Sequence, residues 1–197
     1  MTKDTILQEA QLLKDTVIAH RRWLHAHAEI GFELTQTKAY VRSKLENMGY
    51  AVSDCGKAGL SAAVGKPGGK VLLLRADMDA LPMKEQSGVS FAAENNAHTC
   101  GHDLHAAMLL TAAKLLKEDE KSLDGCVKLM FQPAEETLEG ARNMTDNGIL
   151  TDPAPQAALA FHVGAGKMPP GVYMYNDSGT MMFSSDGFRI KIKGRWG

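Results

Sequence analysis

Three apolar runs in the sequence share one pattern, because each gives way at its C-terminal end to polar side chains capable of chemistry. Continuous apolar runs of this kind are typical of strands buried on both faces, in a sheet that helices cover. In such sheets ligands bind beyond the carboxyl ends of the strands. The pattern therefore predicts an α/β fold with a functional site at one rim of the sheet. The runs begin at Val71, Cys126 and Gln156, and the polar residues that follow them are Asp77 and Asp79, Glu135 and Glu136, and His162.

A short segment after the first run holds four possible metal ligands, Cys100, His102, Asp103 and His105. Apolar residues then recur at helical spacing and predict a helix from His102 to about Glu118. Residues two apart in an extended segment point to the same side, so Cys100 and His102 can converge before the helix begins. Sulfur, imidazole and carboxylate donors indicate a transition metal such as zinc rather than calcium or magnesium. A buried cysteine beside surface histidines that cap a helix remains the alternative.

The adjacent pair Glu135 and Glu136 suits metal-assisted hydrolysis. In an extended loop the two side chains diverge, so one can bind a metal while the other accepts a proton from water. The alternative is a pair of solvated glutamates at a helix N-terminus, where negative charge is favourable. The buried strand that leads directly into the pair favours the first interpretation.

Asp77, Asp79 and His162 complete the predicted site. The two aspartates are two residues apart and share a face, so one of them can orient a ligating histidine. An Asx turn after a strand would give the same pattern. A lone histidine after an apolar run is more often structural, but the strand-end position of His162 favours a ligand.

The remaining pattern predicts covering helices and a second domain that begins near the C-terminus. Helices are predicted over residues 4–24, 35–48 and 139–147, and strands over 50–53, 60–64 and 71–75. Further strands are predicted over 172–179 and 186–194, the second of which alternates apolar and charged residues. Such alternation is typical of an antiparallel sheet, so we expect a domain boundary near Ser184–Ser185. The sequence leaves open whether His20, His25 and His27 line a cleft or lie at the surface.

Composition and charge narrow the class of protein. The formal net charge is −1 and no basic stripe is present, which argues against a nucleic-acid partner. Three cysteines without regular spacing favour a reducing compartment. The N-terminal segment is polar and amphipathic, unlike a secretion signal or a membrane span. We therefore expect a cytoplasmic protein without a membrane partner.

Four segments carry a resemblance to a known family: RADMDALP at Arg75–Pro82, HTCGHDLHAA at His98–Ala107, FQPAEE at Phe131–Glu136 and FHV at Phe161–Val163. They resemble the successive motifs of the metal-dependent amidohydrolases that cleave N-acyl amino acids. This group includes hippurate hydrolases and plant indole-acetyl-amino-acid hydrolases, within the larger aminoacylase and carboxypeptidase G family. A fifth segment, Arg21–Glu33, resembles the opening motif of these proteins, with Ala28 where the family usually has proline.

The resemblance implies a fold, a cofactor and a substrate class. The implied fold is a zinc-peptidase-like catalytic domain, with a mixed, largely parallel sheet covered by helices. The implied cofactor is a pair of divalent ions, zinc or manganese, and the substrate is a small N-acyl amino acid. Homodimers are expected of full-length relatives. The matching ligand positions are Cys100, His102, Glu136 and His162, while Glu135 matches the general base, Asp79 an aspartate that supports catalysis, and Asp77 the place where other branches have a histidine ligand.

The resemblance also implies that parts of the family's site are missing. Relatives are much longer and continue, after a strand like FRIKIKG, with a Gly-Gly-His segment, a lid domain and a return to the catalytic domain. Trp196 stands where a glycine is expected. We therefore expect residues 1–184 to form the N-terminal part of the catalytic domain, and 185–197 the start of a truncated lid. One missing oxyanion donor alone costs about 100- to 1000-fold in rate, so we expect weak or absent activity and a partial metal site.

Two alternatives to the amidohydrolase remain. The first is a non-catalytic metal-binding or interaction fragment that has the same partial fold. The second is a hydrolase that uses Cys100 as a nucleophile with His102 or His105. This second alternative leaves Glu135, Glu136 and His162 without a role and supplies no third group to orient the histidine.

Overall fold

A computed structural model of the protein describes residues 3–164, 166, 169, 171–175, 178–180, 184 and 187–194. The chain divides into two units, Met1–Val163 and Gly164–Gly197. All helices and strands of the described residues lie in the first unit. In chain order they are α1 (Lys3–Leu12), α2 (Lys14–Ala26), α3 (Thr35–Asn47), β1 (Ser53–Cys55), β2 (Gly59–Gly65), β3 (Val71–Asp77), α4 (His102–Glu118), a short 3-10 helix (Glu120–Ser122), β4 (Cys126–Gln132), α5 (Gly140–Asp146) and β5 (Ala157–Ala160).

One mixed sheet of five strands organises the first unit, in the order β1-β2-β4-β3-β5. β2 is antiparallel to both of its neighbours, whereas β3 is parallel to β4 and β5. Asp77 lies opposite Gln132, and Arg75 lies opposite Ala160. The C-terminal ends of β3, β4 and β5 therefore open onto the same rim. The predicted α/β class is confirmed, with parallel pairing confined to the three strands that lead into the site.

Helices pack on both faces of the sheet. On one face the apolar side chains of α2, α3 and α4 form the main core with alternate residues of the strands, among them Leu60, Leu129 and Phe131. On the other face Met144 of α5 and Ile149 pack against Met130 and other residues in a smaller cluster. Successive residues of β4 thus serve opposite faces, as expected for a covered sheet. Burial of both faces fixes the strand register and with it the position of the rim.

Several predicted elements have the observed bounds and others do not. The helix predicted from His102 to about Glu118 is α4, and the predicted helix over 35–48 is α3 within one residue. The helix predicted over 4–24 is interrupted at Leu13, where no glycine or proline marks the break. The strand predicted over 50–53 is wrong, because β1 begins only at Ser53. Tyr50 is instead a loop residue whose buried ring fills the core and whose hydroxyl donates to the backbone of Ala113.

The apolar run that begins at Gln156 does form β5, but the prediction that it is buried on both faces is wrong. All four residues of β5 are exposed. Among the described residues β5 is an outermost strand that pairs with β3 alone, without the second neighbour that helps to bury the central strands. An apolar run by itself does not distinguish an edge strand from a central one.

The second unit contains no strand among its described residues. Residues 172–175 and 187–194, where strands were predicted, are irregular, and Phe188, Ile190 and Ile192 are exposed. A strand needs a neighbour that accepts and donates backbone hydrogen bonds, and no described residue pairs with these segments. Ser185 and Trp196 lie outside the described residues, so the boundary near Ser184–Ser185 stays a prediction. Within the described part of the chain, no helix combines the length and apolar character needed to cross a membrane.

Candidate metal centre

His102 lies at the centre of the predicted site and is wholly buried at the first position of α4. Its Nδ1 is 2.8 Å from the backbone carbonyl oxygen of Asp79. A carbonyl oxygen can only accept, so Nδ1 carries the proton and Nε2 presents a lone pair. Nε2 is buried and has no hydrogen-bond partner among the described residues. The ring is therefore held in the tautomer that a metal ligand requires.

Three carboxylates surround this lone pair. Nε2 of His102 lies 3.7 Å from Oε1 of Glu136, 3.8 Å from Oε2 of Glu135 and 3.7 Å from Oδ2 of Asp77. These separations are too long for hydrogen bonds, and Oε1 of Glu136 is also buried without a partner in the described structure. Two ligands with bonds of about 2.1 Å to one tetrahedral ion would be about 3.4 Å apart. The donor set and its spacing therefore fit a shared cation.

Cys100 and His162 form a second part of the same site. Sγ of Cys100 lies 3.4 Å from Nε2 of His162, and Nδ1 of His162 donates to the backbone oxygen of Val163 at 2.8 Å. The lone pair of Nε2 is thus turned toward the sulfur. One donor atom each from Cys100, His102 and His162 lies within 4.8 Å of the others, as does one from each of His102, Glu135 and Glu136. Both groups include His102, and the sulfur and nitrogen donors of the first group suit a transition metal.

Cys100 and His102 converge as predicted, but not through an extended segment. Gly101 between them has φ +88°, a left-handed conformation that turns the chain into α4. A Cβ at Gly101 would lie 2.3 Å from Cγ2 of Val163. Only glycine therefore combines this turn with the close approach of Val163.

Glu135 and Glu136 also differ from the prediction, because their side chains converge on His102 instead of diverging. The pair lies in a turn in which the Leu138 N–H donates to the carbonyl oxygen of Glu135 at 2.8 Å. Ala134 and Leu138, on either side of the pair, have φ of 50° and 59°. The carboxylate of Asp79 accepts the backbone N–H of Glu135 at 2.9 Å and that of Glu136 at 3.2 Å. Asp79 therefore holds the backbone of the pair beside His102.

Asp77 serves a different purpose from Asp79. Its Oδ1 accepts a hydrogen bond from Nδ1 of His105 at 2.6 Å, and its Oδ2 pairs with Nη1 of Arg75 at 2.7 Å. Burial would raise the pKa of Asp77, but the bond to His105 and the charge of Arg75 outweigh it and lower the pKa. Asp77 is thus an ionised carboxylate that orients His105. The sequence predicted this role toward a ligating histidine, and that part stays a prediction.

Asp103 and His105, two of the four possible ligands in the sequence, are engaged elsewhere. Oδ2 of Asp103 lies 2.8 Å from Nε of Arg21 and 2.7 Å from Nδ1 of His25. Nε2 of His105 accepts the backbone N–H of Val163 at 2.9 Å. The donor atoms of Asp77, His102 and His105 also lie within 4.8 Å of one another. Because both nitrogens of His105 already have protein partners, we do not assign it as a ligand.

The protonation of two candidate ligands reflects the negative charge of the site. Burial and the nearby carboxylates, Glu136 first among them, raise the pKa of Cys100 to about 11. Burial alone would lower the pKa of His102, but Asp79, Asp77 and Glu135 outweigh it and raise the pKa. Both shifts show that the carboxylates favour positive charge at this point. A cation would supply that charge and displace the protons.

The three histidines left open by the sequence have separate surroundings. His25 lines a cavity of about 360 Å³ and bonds through Nε2 to Glu85 at 2.8 Å. His20 bonds to the hydroxyl of Tyr40, and His27 donates to the backbone oxygen of Trp23. Sequence reasoning missed that His105 binds the backbone of Val163 and that backbone oxygens orient both candidate ligand histidines. No sequence signal marks these contacts, since every residue offers a backbone C=O and every residue except proline a backbone N–H.

Comparison with known proteins identifies relatives of this site. The sequence profile described as Peptidase family M20/M25/M40 matches residues 73–184, which include all six predicted site residues. An N-acyl-L-amino acid amidohydrolase of Geobacillus stearothermophilus is 36% identical over 100% of this chain and 54% of its own length. A hippurate hydrolase of Campylobacter jejuni is 38% identical over 90% of this chain and 46% of its own. The chain thus spans about half the length of the curated relatives it matches.

Solved structures agree with these sequence matches. A Bacillus subtilis protein described as a dinuclear metal binding peptidase of the M20 family superposes with a TM-score of 0.71. It is 36% identical, and the match covers 75% of this chain and 42% of that protein. The matched part has the mixed α/β architecture described above, and its sequence identity is high enough to indicate common descent as well as a common fold.

Proposed function

The chain belongs to peptidase family M20/M25/M40, and from this premise we propose that it carries the metal-binding and proton-transfer residues of an N-acyl-amino-acid amidohydrolase. The substrate class follows from the names of its relatives, an N-acyl-L-amino acid amidohydrolase and a hippurate hydrolase. The reaction is hydrolysis of the amide bond between the acyl group and the amino acid. Homodimer formation stays a prediction.

In this proposal divalent ions, zinc or manganese, bind at the rim of the sheet, two in the full-length relatives and one or a partial site in this chain. Bound ions of this kind polarise a carbonyl oxygen and acidify water. Support comes from the unpartnered Nε2 of the buried His102 and from the spacing of the sulfur, nitrogen and oxygen donors around it. The carboxylate excess that raises the pKa of His102 also favours cation binding. The residues that would hold the ions are Cys100, His102, Glu136 and His162.

Glu135 is the proposed general base. It accepts a proton from the water whose oxygen attacks the acyl carbon. It then gives that proton to the amide nitrogen as the carbon–nitrogen bond breaks, so that the amine leaves neutral. The exposure of the two glutamates supports the division of roles, since the side chain of Glu135 is 32% exposed and that of Glu136 23%. Oε1 of Glu136 is fully buried and is better placed as a ligand.

Asp79 has a supporting part in the same proposal. Its carboxylate binds the backbone N–H groups of Glu135 and Glu136, while its backbone oxygen fixes the tautomer of His102. One residue therefore links the proposed base to two proposed ligands. A change at Asp79 should disturb proton transfer and metal binding together.

The observation that carries the proposal is the convergence of unpartnered donors on His102, and metal content combined with turnover tests it. Elemental analysis of the purified chain should find zinc or manganese, and the loaded protein is assayed for amine release from N-acetyl and N-benzoyl amino acids. Glu135→Gln should lower the rate about 100- to 10,000-fold and leave the metal content unchanged. Glu118→Gln, at the C-terminal end of α4, is the matched control and should keep the parent rate.

Two outcomes would contradict the proposal in different ways. If the chain takes up no metal at equilibrium, the proposed metal centre is wrong. Turnover that Glu135→Gln leaves unchanged would remove Glu135 as the base. A chain that binds metal and leaves every substrate intact would fit both the impaired activity expected of a partial site and the alternative of a non-catalytic metal-binding fragment.

A further inference from the structure

We infer that His105 is a positioning residue that fixes the place of His162 through the backbone of Val163. This inference rests on the metal centre proposed above, because it concerns how one of its ligands is held. Neither nitrogen of His105 is free to bind an ion, and yet the ring lies within the site. Its centroid is 4.6 Å from that of His162 and 5.4 Å from that of His102.

A chain of three contacts connects the core of the sheet to the ligand segment. Arg75 pairs with Asp77, Asp77 accepts from Nδ1 of His105, and Nε2 of His105 accepts from the N–H of Val163. Asp77 is fully buried and His105 is 2% exposed. A backbone N–H can only donate, so Nε2 of His105 has to be the unprotonated nitrogen. The ring of His105 therefore has one defined tautomer and orientation.

Apart from the contact of His162 with Cys100, few contacts among the described residues hold the segment that carries His162. β5 ends at Ala160, so regular pairing with β3 stops two residues before His162. Phe161 is 56% exposed, and His162 is also exposed. Nδ1 of His162 donates to the carbonyl oxygen of Val163, which makes the direction of its ring depend on the peptide groups around Val163.

Val163 is fixed from two sides. Its N–H is held by His105, and its Cγ2 packs against Gly101, which has no side chain to displace it. Gly101 is itself flanked by Cys100 and His102. If the bond to His105 were lost, packing against Gly101 would be the remaining support of Val163 among the described contacts, and His162 would be held less firmly toward the sulfur of Cys100. His105 thus acts on the ion through His162 and does not touch it.

Cobalt titration of the metal-free full chain tests the inference, because visible absorption reports the ligand set. His105→Gln keeps an acceptor near the position of Nε2 and should bind Co²⁺ with the spectrum of the parent. The side chain in His105→Asn is shorter and reaches only the position of Nδ1, so the Val163 N–H loses its acceptor. This variant should lower Co²⁺ affinity about 10- to 100-fold, as expected when the support of a ligand is removed. Its d–d bands should shift toward those of His162→Ala, while the thiolate-to-cobalt band from Cys100 persists.

The outcomes separate this inference from the proposed function. If the parent binds no Co²⁺, the metal centre itself is wrong and the inference falls with it. If the parent binds Co²⁺ and His105→Asn has the affinity and spectrum of the parent, only the role of His105 is wrong. A spectrum in which His105→Gln and His105→Asn both lose a nitrogen ligand to the same extent would make His105 a direct ligand and would also overturn the inference.

A measurement on the parent keeps the inference testable if His105→Asn does not fold. Amide hydrogen exchange followed by NMR should find the Val163 N–H protected, because it donates to a buried nitrogen. Rapid exchange of that amide in the folded parent would overturn the inference without any variant.

Discussion

Nε2 of His102 and Oε1 of Glu136 face each other at 3.7 Å, and neither buried atom has a hydrogen-bond partner in the described structure. Buried polar atoms are rarely left unpaired, because each costs about 1–3 kcal/mol. A cation between them would satisfy both. The first prediction therefore concerns the stability that an ion adds.

Zinc or manganese should raise the melting temperature of the chelator-treated protein. A ligand at about 100 times its Kd stabilises the folded state by about 2.7 kcal/mol. Differential scanning calorimetry with and without metal measures the shift, and His102→Ala should abolish it. His27→Ala, which removes an imidazole bonded to the backbone oxygen of Trp23, should retain it. Equal shifts in the two variants would contradict a centre built on His102.

Asp79→Asn should destabilise the metal-free protein by about 1–3 kcal/mol. The amide keeps one acceptor, but its NH₂ group is turned against the N–H of Glu135 or Glu136, which then loses its partner. Urea unfolding in the presence of chelator measures the change. Asp124→Asn is the control, since that side chain is fully exposed, and it should leave the midpoint unchanged. A midpoint for Asp79→Asn that equals the parent's would show that these two bonds add nothing.

Gly101→Ala should destabilise the fold more than Gly68→Ala. Both glycines have positive φ, +88° and +79°, but only at Gly101 would the new Cβ meet another residue, at 2.3 Å from Val163. We expect about 1–2 kcal/mol for the backbone strain at Gly68, and a further cost of about 1–3 kcal/mol for the overlap at Gly101. Chemical denaturation measures the free energy of unfolding of each variant, and the difference between the two losses gives the steric part of the cost at Gly101. Equal losses would mean that Val163 moves aside freely.

Cys100 in the metal-free protein should react slowly with iodoacetamide near neutral pH. The thiolate is the reactive form, and a pKa of about 11 leaves only about 0.1% of the thiol ionised at pH 8. As pH rises the thiolate fraction grows, so the rate should increase about tenfold per pH unit from 7 to 10. Peptide mapping by mass spectrometry follows Cys100 separately from the buried Cys55 and Cys126. A rate that levels off near pH 9 would indicate an ordinary thiol.

The parts of the fold that could be predicted are those in which a local pattern determines local structure. The bounds of α4 follow from its own apolar spacing, which places Ala106, Leu110 and Ala113 on one buried face. The convergence of Cys100, His102 and Glu136 follows from a general property of parallel sheets, whose carboxyl ends lie at one rim. The six predicted site residues are indeed neighbours.

What could not be predicted depends on contacts between distant segments. Asp77 and Asp79 are chemically identical and two residues apart, and only their partners, His105 for one and the N–H groups of the glutamate pair for the other, separate their roles. Tyr50 looks like a strand residue because it is apolar, whereas its hydroxyl bonds to a helix 63 residues away. The exposure of β5 depends on its place in the strand order, which no single segment encodes.

The left-handed conformations of Ala134 and Leu138 affect which substitutions can stabilise this protein. Neither is glycine, and a non-glycine residue in this conformation costs about 1–3 kcal/mol, which the surrounding structure has to offset. Glycine at position 134 would relieve the strain and also loosen the backbone that aims Glu135. A glycine there should therefore gain tolerance to heat at the expense of the fixed position of the Glu135 carboxylate beside His102.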